Sequence, residues 1–432
     1  MSLRAVSAPR VLILSWEYPP IVEGGLARHV RKLSEQLVRD GVEVHVVTRG
    51  DRFRPDEPLV PRAQDRFRLP GEPLVPRAHL RRRHVTNEDR HGVIVHRVRE
   101  PDFPRGDVDA FIAWVEHMND DMRAAGLELG GDFDLVHSHD WLVAAAARKL
   151  ARRWKLPWLV TVHATEYGRH QGWVKKHPQS HIHGVERRMV RGADRVITCS
   201  AYMREHVADA FGIPPGGVTV IPNGIDPTDL QPVSDLPRLR AQFAAPDEKL
   251  VLLVGRLVYE KGFHLALEAM PGLIERLGGV RFLVAGTGTA EAELKAQARS
   301  LGLMEHGTFV GWTGDDVLHS LYRIADLCVV PSIYEPFGLV ALEAMASGCP
   351  TIVADTGGLR EVVPAGQRVG LRFRARDSSS LARMAEKLLG DDALRDRLVA
   401  QAREHVLQFD WADVARQTAA VYDELRANLN RV

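Results

Sequence analysis

The sequence predicts an α/β protein built from two doubly wound parallel-sheet domains, and three observations carry that reading. The chain has 432 residues, too many for one hydrophobic core and enough for about two or three domains at ~150 residues each. Short apolar runs of the buried-strand type alternate with amphipathic helix patterns along most of it. The alternation stops near Asp226, gives way to a proline-rich stretch, and restarts at Leu250.

The first strand signal is Val11-Leu-Ile-Leu-Ser15, followed by a loop with Pro19, Pro20, Gly24 and Gly25. A helix pattern follows, with Leu26, Val30, Leu33 and Leu37 on one stripe. Gly41 closes it, and Val42 to Thr48 reads as the second strand, completing a βαβ unit. The pattern then breaks. Glu57-Pro-Leu-Val-Pro-Arg-Ala63 recurs as Glu72-Pro-Leu-Val-Pro-Arg-Ala78, and Asp51-Arg-Phe-Arg recurs as Asp65-Arg-Phe-Arg. Two copies are too few for a solenoid and their prolines oppose strand pairing, so residues 51–90 read as a mobile duplicated surface loop. Strands return at Gly92-Val-Ile-Val-His-Arg-Val, Leu135-Val-His, Trp158-Leu-Val-Thr-Val-His163, Arg195-Val-Ile-Thr and Val218-Thr-Val-Ile, with helices near 108–127 and 185–191. Residues 1–226 thus form an N-terminal α/β domain.

Residues 227–248, with Pro227, Pro232, Pro237 and Pro246, read as a linker. Strands at 250–255, 280–285, 307–311, 325–331 and 349–354 then define a second domain over 249–409. A last helix in 410–432 carries Val414, Thr418, Val421 and Leu425 on one face. Ligands in such folds bind outside the carboxyl ends of the strands, which places the expected site in an interdomain cleft.

Composition narrows the function. A formal charge of +1 gives no reason to expect nucleic-acid binding, although arginines crowd 49–105. Three separated cysteines (Cys199, Cys328, Cys349) fit reduced thiols in a cytoplasmic protein. No apolar run approaches the ~20 residues that cross a bilayer, while contact with a membrane surface stays open, as does oligomeric state.

The richest chemistry lies in Tyr334-Glu-Pro-Phe-Gly-Leu-Val-Ala-Leu-Glu343. It opens a helix directly after a strand, where free N–H groups and the positive dipole end suit a diphosphate. Gly338 lets backbone approach phosphate, Glu335 stands where sugar hydroxyls would meet it, and Glu343, about a turn in, suits a ribose. A dipole-complementing acid plus a surface glutamate is the plainer reading, and the apolar context of Glu343 argues against it. In Val254-Gly-Arg-Leu-Val-Tyr-Glu-Lys-Gly262, Arg256 and Lys261 follow a strand. Two such cations can offset charge growing on a departing diphosphate, the task a metal performs elsewhere.

Together with Gly24-Gly25 and Asn223-Gly-Ile-Asp226, these segments resemble the family 4 retaining glycosyltransferases of GT-B fold, relatives of bacterial glycogen synthases. The resemblance runs from Val11 to the final helix. It implies that Arg256 and Lys261 bind donor phosphates and that Gly338 and Leu339 offer backbone N–H groups. It further implies that Glu335 holds the transferred sugar, Glu343 the ribose, and that Val310-Gly311 lie beside the base. It puts His163 beside the anomeric carbon, with a structural histidine as the alternative. Gly24-Gly25 begins a helix where phosphate or sugar of the donor can approach backbone; the lysine that glycogen synthases carry two positions before this pair is Val22 here. Asp140 is placed for acceptor hydroxyls, and Trp141 for sugar stacking or for the core.

His170, His177, His181 and His183 lack a well-placed fourth ligand for zinc and read instead as an acceptor-facing loop with Trp173, Lys175 and Lys176. Asp107-Val-Asp109 and Asp132-Phe-Asp134 match a metal-binding pattern too short to be informative. Gly286-Thr-Gly288 lacks the third glycine of a dinucleotide fingerprint, position 291 being Glu. The expectation is a metal-independent, cofactor-free hexosyltransferase. It moves glucose from a UDP- or ADP-type donor to an α-glucan with retention, through an oxocarbenium-like transition state in which the leaving diphosphate takes the acceptor proton. Ser15-Trp-Glu-Tyr-Pro-Pro with His163-Ala-Thr-Glu carries the α-glucan part of that resemblance. The alternatives are a lipid-linked or small-metabolite acceptor, a sugar-nucleotide epimerase, and a non-catalytic sugar-nucleotide-binding protein.

Overall fold

The computed structural model describes residues 8–50, 84–88 (backbone), 91–99, 108–366 and 368–429. The chain divides into two compact units, residues 1–222 with 411–432, and residues 223–410.

In the first unit the strands are β1 (Arg10–Leu14), β2 (Glu43–Arg49), β3 (His84–Glu88), β4 (Ile94–Val98), β5 (Leu135–His139), β6 (Trp158–Val162), β7 (Arg195–Thr198) and β8 (Val218–Val220). They form one sheet in the order β3-β4-β2-β1-β5-β6-β7-β8. All pairs are parallel except β3 with β4, which is antiparallel. Every residue of β5 and β6 is buried; β6 accordingly reads as a near-continuous apolar run, while β5 buries His137, Ser138 and His139 as well. β3 corrects one expectation, because residues 84–88 pair as an edge strand rather than belonging to a loop. The duplicated Pro/Arg-rich copies themselves lie outside the described residues.

The helix Gly25–Arg39 buries Ala27, Val30, Leu33 and Leu37, the stripe its periodicity predicts. Its core is shared with the last helix, Trp411–Leu429, which contributes Trp411, Val414, Ala415, Val421, Tyr422 and Leu425. The C-terminal segment therefore belongs to the first unit. Its apolar face is covered by residues some four hundred positions earlier in the chain.

The second unit holds β9 (Lys249–Val254), β10 (Val280–Ala285), β11 (Gly307–Gly311), β12 (Leu327–Val330), β13 (Thr351–Ala354) and β14 (Leu371–Phe373), in the order β11-β10-β9-β12-β13-β14 and wholly parallel. Residues 227–248 fall inside this unit and include the short helix Leu236–Arg240. Strand order reverses direction between β9 and β12, and in the first unit between β1 and β5. Such switch points leave an open crevice past the strand ends. The loops that leave those four strands carry most of the chemistry.

Candidate active site

At the switch point of the second unit, the loop after β9 and the loop after β12 are joined through main chain. The carbonyl of Glu260 accepts hydrogen bonds from the amides of Ile333 (2.8 Å) and Tyr334 (3.2 Å). Gly262 makes this approach feasible. Its φ is +68°, and a β-carbon there would stand 2.0 Å from the Pro331 carbonyl oxygen. The result brings Lys261 Nζ within 2.7 Å of Glu335 Oε2. The same oxygen accepts the Ser332 hydroxyl at 3.0 Å. Glu335 is buried, so its charge is held by one ammonium and one hydroxyl. Arg256 stands more exposed, 3.8 Å from Glu260. The loop thus holds one cation already paired to the carboxylate and a second near solvent.

Beyond Glu335, the amide of Gly358 donates to its carbonyl, and Gly338 caps the helix Leu339–Ala346 with φ +120°. A β-carbon at Gly338 would press on Leu359 at 2.6 Å. Leu339 is the first residue of that helix, so amides at its start have no intrahelical acceptor. Glu343 is buried in the same helix and accepts the Tyr322 hydroxyl at 2.9 Å. Its carboxylate is anchored, with one oxygen committed to tyrosine. Val310 and Gly311 end β11, where Gly311 takes φ +73° and its carbonyl accepts the Gly286 amide at 2.7 Å. Gly286 and Gly288 serve tight packing, since a β-carbon on either would come within 2.0–2.3 Å of main chain at Gly255 or Leu257.

In the first unit the loop after β1 is built around Glu17, a residue to which sequence reading assigned no role. Its Oε2 accepts the amides of Glu23 (2.6 Å) and Gly24 (3.2 Å), while Arg49 pairs with Glu23 at 2.6 Å and lies over the Trp16 ring. Burial pushes the Glu17 carboxyl up to about 7, against the pull of those amides and Arg49. Gly24 has an extended φ of −174° and nothing within 4 Å of a built β-carbon. No contact among the described residues demands glycine there. Gly25 opens the helix.

After β5, Asp140 takes φ +59° and its Oδ1 accepts the His163 amide at 2.7 Å. Burial raises its carboxyl to about 6. His163 follows β6, and its Nε2 lies 2.9 Å from Nδ1 of His139; burial draws His163 down to about 4. The two rings stack, and His29 meets His163 edge-on at 4.6 Å between centroids. Trp141 is 8% exposed and edge-on to Phe111, so most of its ring is packed against neighbouring side chains.

Histidines 29 and 139 were not singled out from sequence, although signals existed. His137 and His139 lie two apart on β5 and so share a face, and His29 falls within the buried stripe of its helix. Glu186 was also missed. It is buried, accepts the Glu166 amide on both oxygens (2.9 and 3.1 Å), and is pushed up to about 8 by burial.

The histidines 170–183 do not converge. His170 pairs with Glu166 at 3.0 Å, His177 with Asp109 at 2.5 Å, and His183 stacks on Phe211. Trp173, Lys175 and Lys176 are exposed. Asp134 is engaged by the Arg10 amide (2.7 Å) and by Arg426 (3.3 Å), a structural use; Asp107 lies outside the described residues. The three cysteines are buried free thiols. No helix among the described residues is long and apolar enough to cross a membrane.

The model for group 1 glycosyl transferases matches residues 237–405, and that for glycosyltransferase family 4 matches residues 23–229. A glycogen synthase of Mycobacterium tuberculosis is 39% identical over 423 residues, covering 96% of this chain and 94% of its own. A D-inositol 3-phosphate glycosyltransferase of Kineococcus radiotolerans is 30% identical over 97% and 96% of the two chains. Among solved structures, sucrose-phosphate synthase of Thermosynechococcus elongatus superposes with a TM-score of 0.77 at 26% identity, covering 97% of this chain and 100% of the other. Fold and loop chemistry therefore define a glycosyltransferase, an enzyme of the hexosyl-transferring kind. The chain belongs to glycosyltransferase family 4 and has the GT-B fold.

Proposed function

We propose that the protein transfers glucose, with retention, from UDP- or ADP-glucose to an α-glucan acceptor. The observation that carries this is the loop pair at the β9/β12 switch point, where Lys261 and Glu335 meet at 2.7 Å beside the start of the helix Leu339–Ala346. An ammonium, a guanidinium and helix-terminal amides suit a diphosphate. A buried carboxylate beside them suits sugar hydroxyls.

In this reading Arg256, Lys261 and the amides of Gly338 and Leu339 take up charge as the diphosphate leaves, without a metal ion. Glu335 orients the transferred glucose, Glu343 the ribose, and Val310-Gly311 flank the base. Gly24 and Gly25 let donor groups approach main chain. His163 faces the developing positive charge at the anomeric carbon, and Asp140 the acceptor hydroxyls. The leaving diphosphate accepts the acceptor proton, so attack and departure share one face and no enzyme nucleophile is required.

The extent of likeness to the mycobacterial glycogen synthase favours the α-glucan acceptor. A phosphorylated small-molecule acceptor is the second reading, favoured by the relatives named for D-inositol 3-phosphate. The test is nucleotide release from UDP-, ADP- and GDP-sugars, each alone, with glycogen or maltooligosaccharide, and with 1D-inositol 3-phosphate, followed by NMR of the product anomer. Glucan-dependent release with an α-linked product is expected. Inositol-phosphate-dependent release supports the second reading, and a new sugar nucleotide formed without acceptor would indicate epimerisation instead.

A further inference from the structure

We propose that His29, His139 and His163 form a binding site for a divalent transition-metal ion of the zinc class, and that metal held there inhibits the enzyme. The three imidazoles arrive from three separate elements of the first unit: the helix Gly25–Arg39, the last residue of β5, and the turn directly after β6. One ring nitrogen from each lies within 4.8 Å of the other two. The His139–His163 pair is already at 2.9 Å. Nitrogens bound to one tetrahedral zinc at ~2.0–2.1 Å are roughly 3.3–3.4 Å apart, inside the 4.8 Å limit and a few tenths of an ångström beyond the His139–His163 separation, so small ring rotations reach it.

The neighbouring His137 shows what a committed structural histidine looks like here. Its Nδ1 bonds the Tyr422 hydroxyl (2.9 Å) and its Nε2 the Thr161 hydroxyl (2.8 Å), leaving nothing for a metal. His139 differs. It is fully buried, one nitrogen faces His163, and its Nε2 has no hydrogen-bond partner among the described residues. Whichever tautomer it adopts, Nδ1 faces His163 while Nε2 goes without a bond, so the ring gives up only its contact with His163 when Nδ1 takes a metal. His29 is wedged between His163 (4.6 Å) and Trp411 (5.3 Å), which fixes its direction.

Three imidazoles without a carboxylate favour zinc, copper or nickel over magnesium or calcium, and three protein ligands leave a fourth position for water. A bound ion occupies Nε2 of His163, the ring that the transfer reading puts beside the anomeric carbon. Loaded metal and productive sugar placement then exclude each other.

The experiment uses full-length protein in chelator-treated buffer, titrated with cobalt(II) and followed by its visible absorption, then competed with zinc(II) in a calorimeter. One equivalent with the spectrum of a four-coordinate nitrogen site is expected. His29→Gln and His139→Gln should each weaken binding by at least about 10–100-fold, and His177→Gln with His181→Gln should leave it unchanged. Zinc should inhibit nucleotide release, and chelator should restore it. Absence of a saturable single site, or a site that survives both His29→Gln and His139→Gln, overturns the proposal. Should either variant fail to fold, pulsed EPR of the copper(II)-loaded wild type decides: three imidazole couplings support the site and one or none overturns it. Activity measured in chelator tests the transfer reading separately.

Discussion

Glu17 shows most plainly how one residue shapes the first unit's loop chemistry. A carboxyl in water ionises near its ordinary value, but here burial raises it to about 7 while two loop amides hold its oxygen. The folded state therefore keeps a proton that the unfolded chain releases between about 4.5 and 7. Stability from this group is fully present below that window and falls as pH rises through it, by about 3 kcal/mol on the scale of 1.36 kcal/mol per unit. Melting curves from pH 4 to 8 should show a steeper decline for wild type than for Glu17→Gln; parallel curves would refute the assignment. Asp140 and Glu186 act in the same direction and the buried histidines in the opposite one, so only the difference between the two proteins isolates Glu17. The sequence placed Lys261, Glu335 and Glu343 as donor-side residues because loop cations and acids at a helix start have a chemical reason to be there. It did not reveal Glu17 or Glu186, since what sets them apart is burial against main-chain amides, a property of packing rather than of residue type.

At the scale of elements, glycines separate loops that must touch each other from loops held open to something else. Gly262 needs its positive φ and the room beside Pro331. Gly262→Ala should cost ~1–3 kcal/mol, push the β9 loop off the β12 loop, and lower nucleotide release along with the melting temperature. Gly24, extended and with open space around it, should behave oppositely. Gly24→Ala should fold with stability within about 0.5 kcal/mol of wild type yet lose activity. Equal stability losses in both variants would contradict this distinction. Strands β1, β2, β6, β9, β10, β12 and β13 were legible as apolar runs because parallel strands inside a sheet are buried on both faces. β14, Leu371-Arg-Phe373, sets an arginine between its two apolar residues and so lacks the apolar run that marked the equally short β8, and β3 pairs through backbone in a stretch whose composition suggests a loop.

The whole first unit depends on chain ends meeting. Five large side chains of the last helix, Trp411, Val414, Val421, Tyr422 and Leu425, are buried in its core. At ~1.5–3 kcal/mol each, their loss rivals the ~5–15 kcal/mol by which a domain is stable. Truncation at residue 410 should therefore expose the first unit to limited proteolysis while residues 223–410 stay resistant; equal resistance would show the helix to be dispensable. Tyr422→Phe is the milder probe. It removes the hydroxyl bonded to the buried His137 and should cost ~1–3 kcal/mol without loss of fold. Periodicity showed that this helix has an apolar face, but only the three-dimensional arrangement shows which sheet covers it.

In the proposed reaction, cations on the loop after β9, with the helix amides after β12, hold the donor diphosphate. Calorimetric binding of UDP and ADP to wild type, Arg256→Ala and Lys261→Ala tests it most directly. A charge-assisted hydrogen bond is worth ~1.5–3 kcal/mol, so each variant should bind about 10–100-fold more weakly; Arg256→Ala should keep its melting temperature, while Lys261→Ala, which strips the buried Glu335 of its ammonium, should lower it. Unaltered affinity in both would contradict the claim.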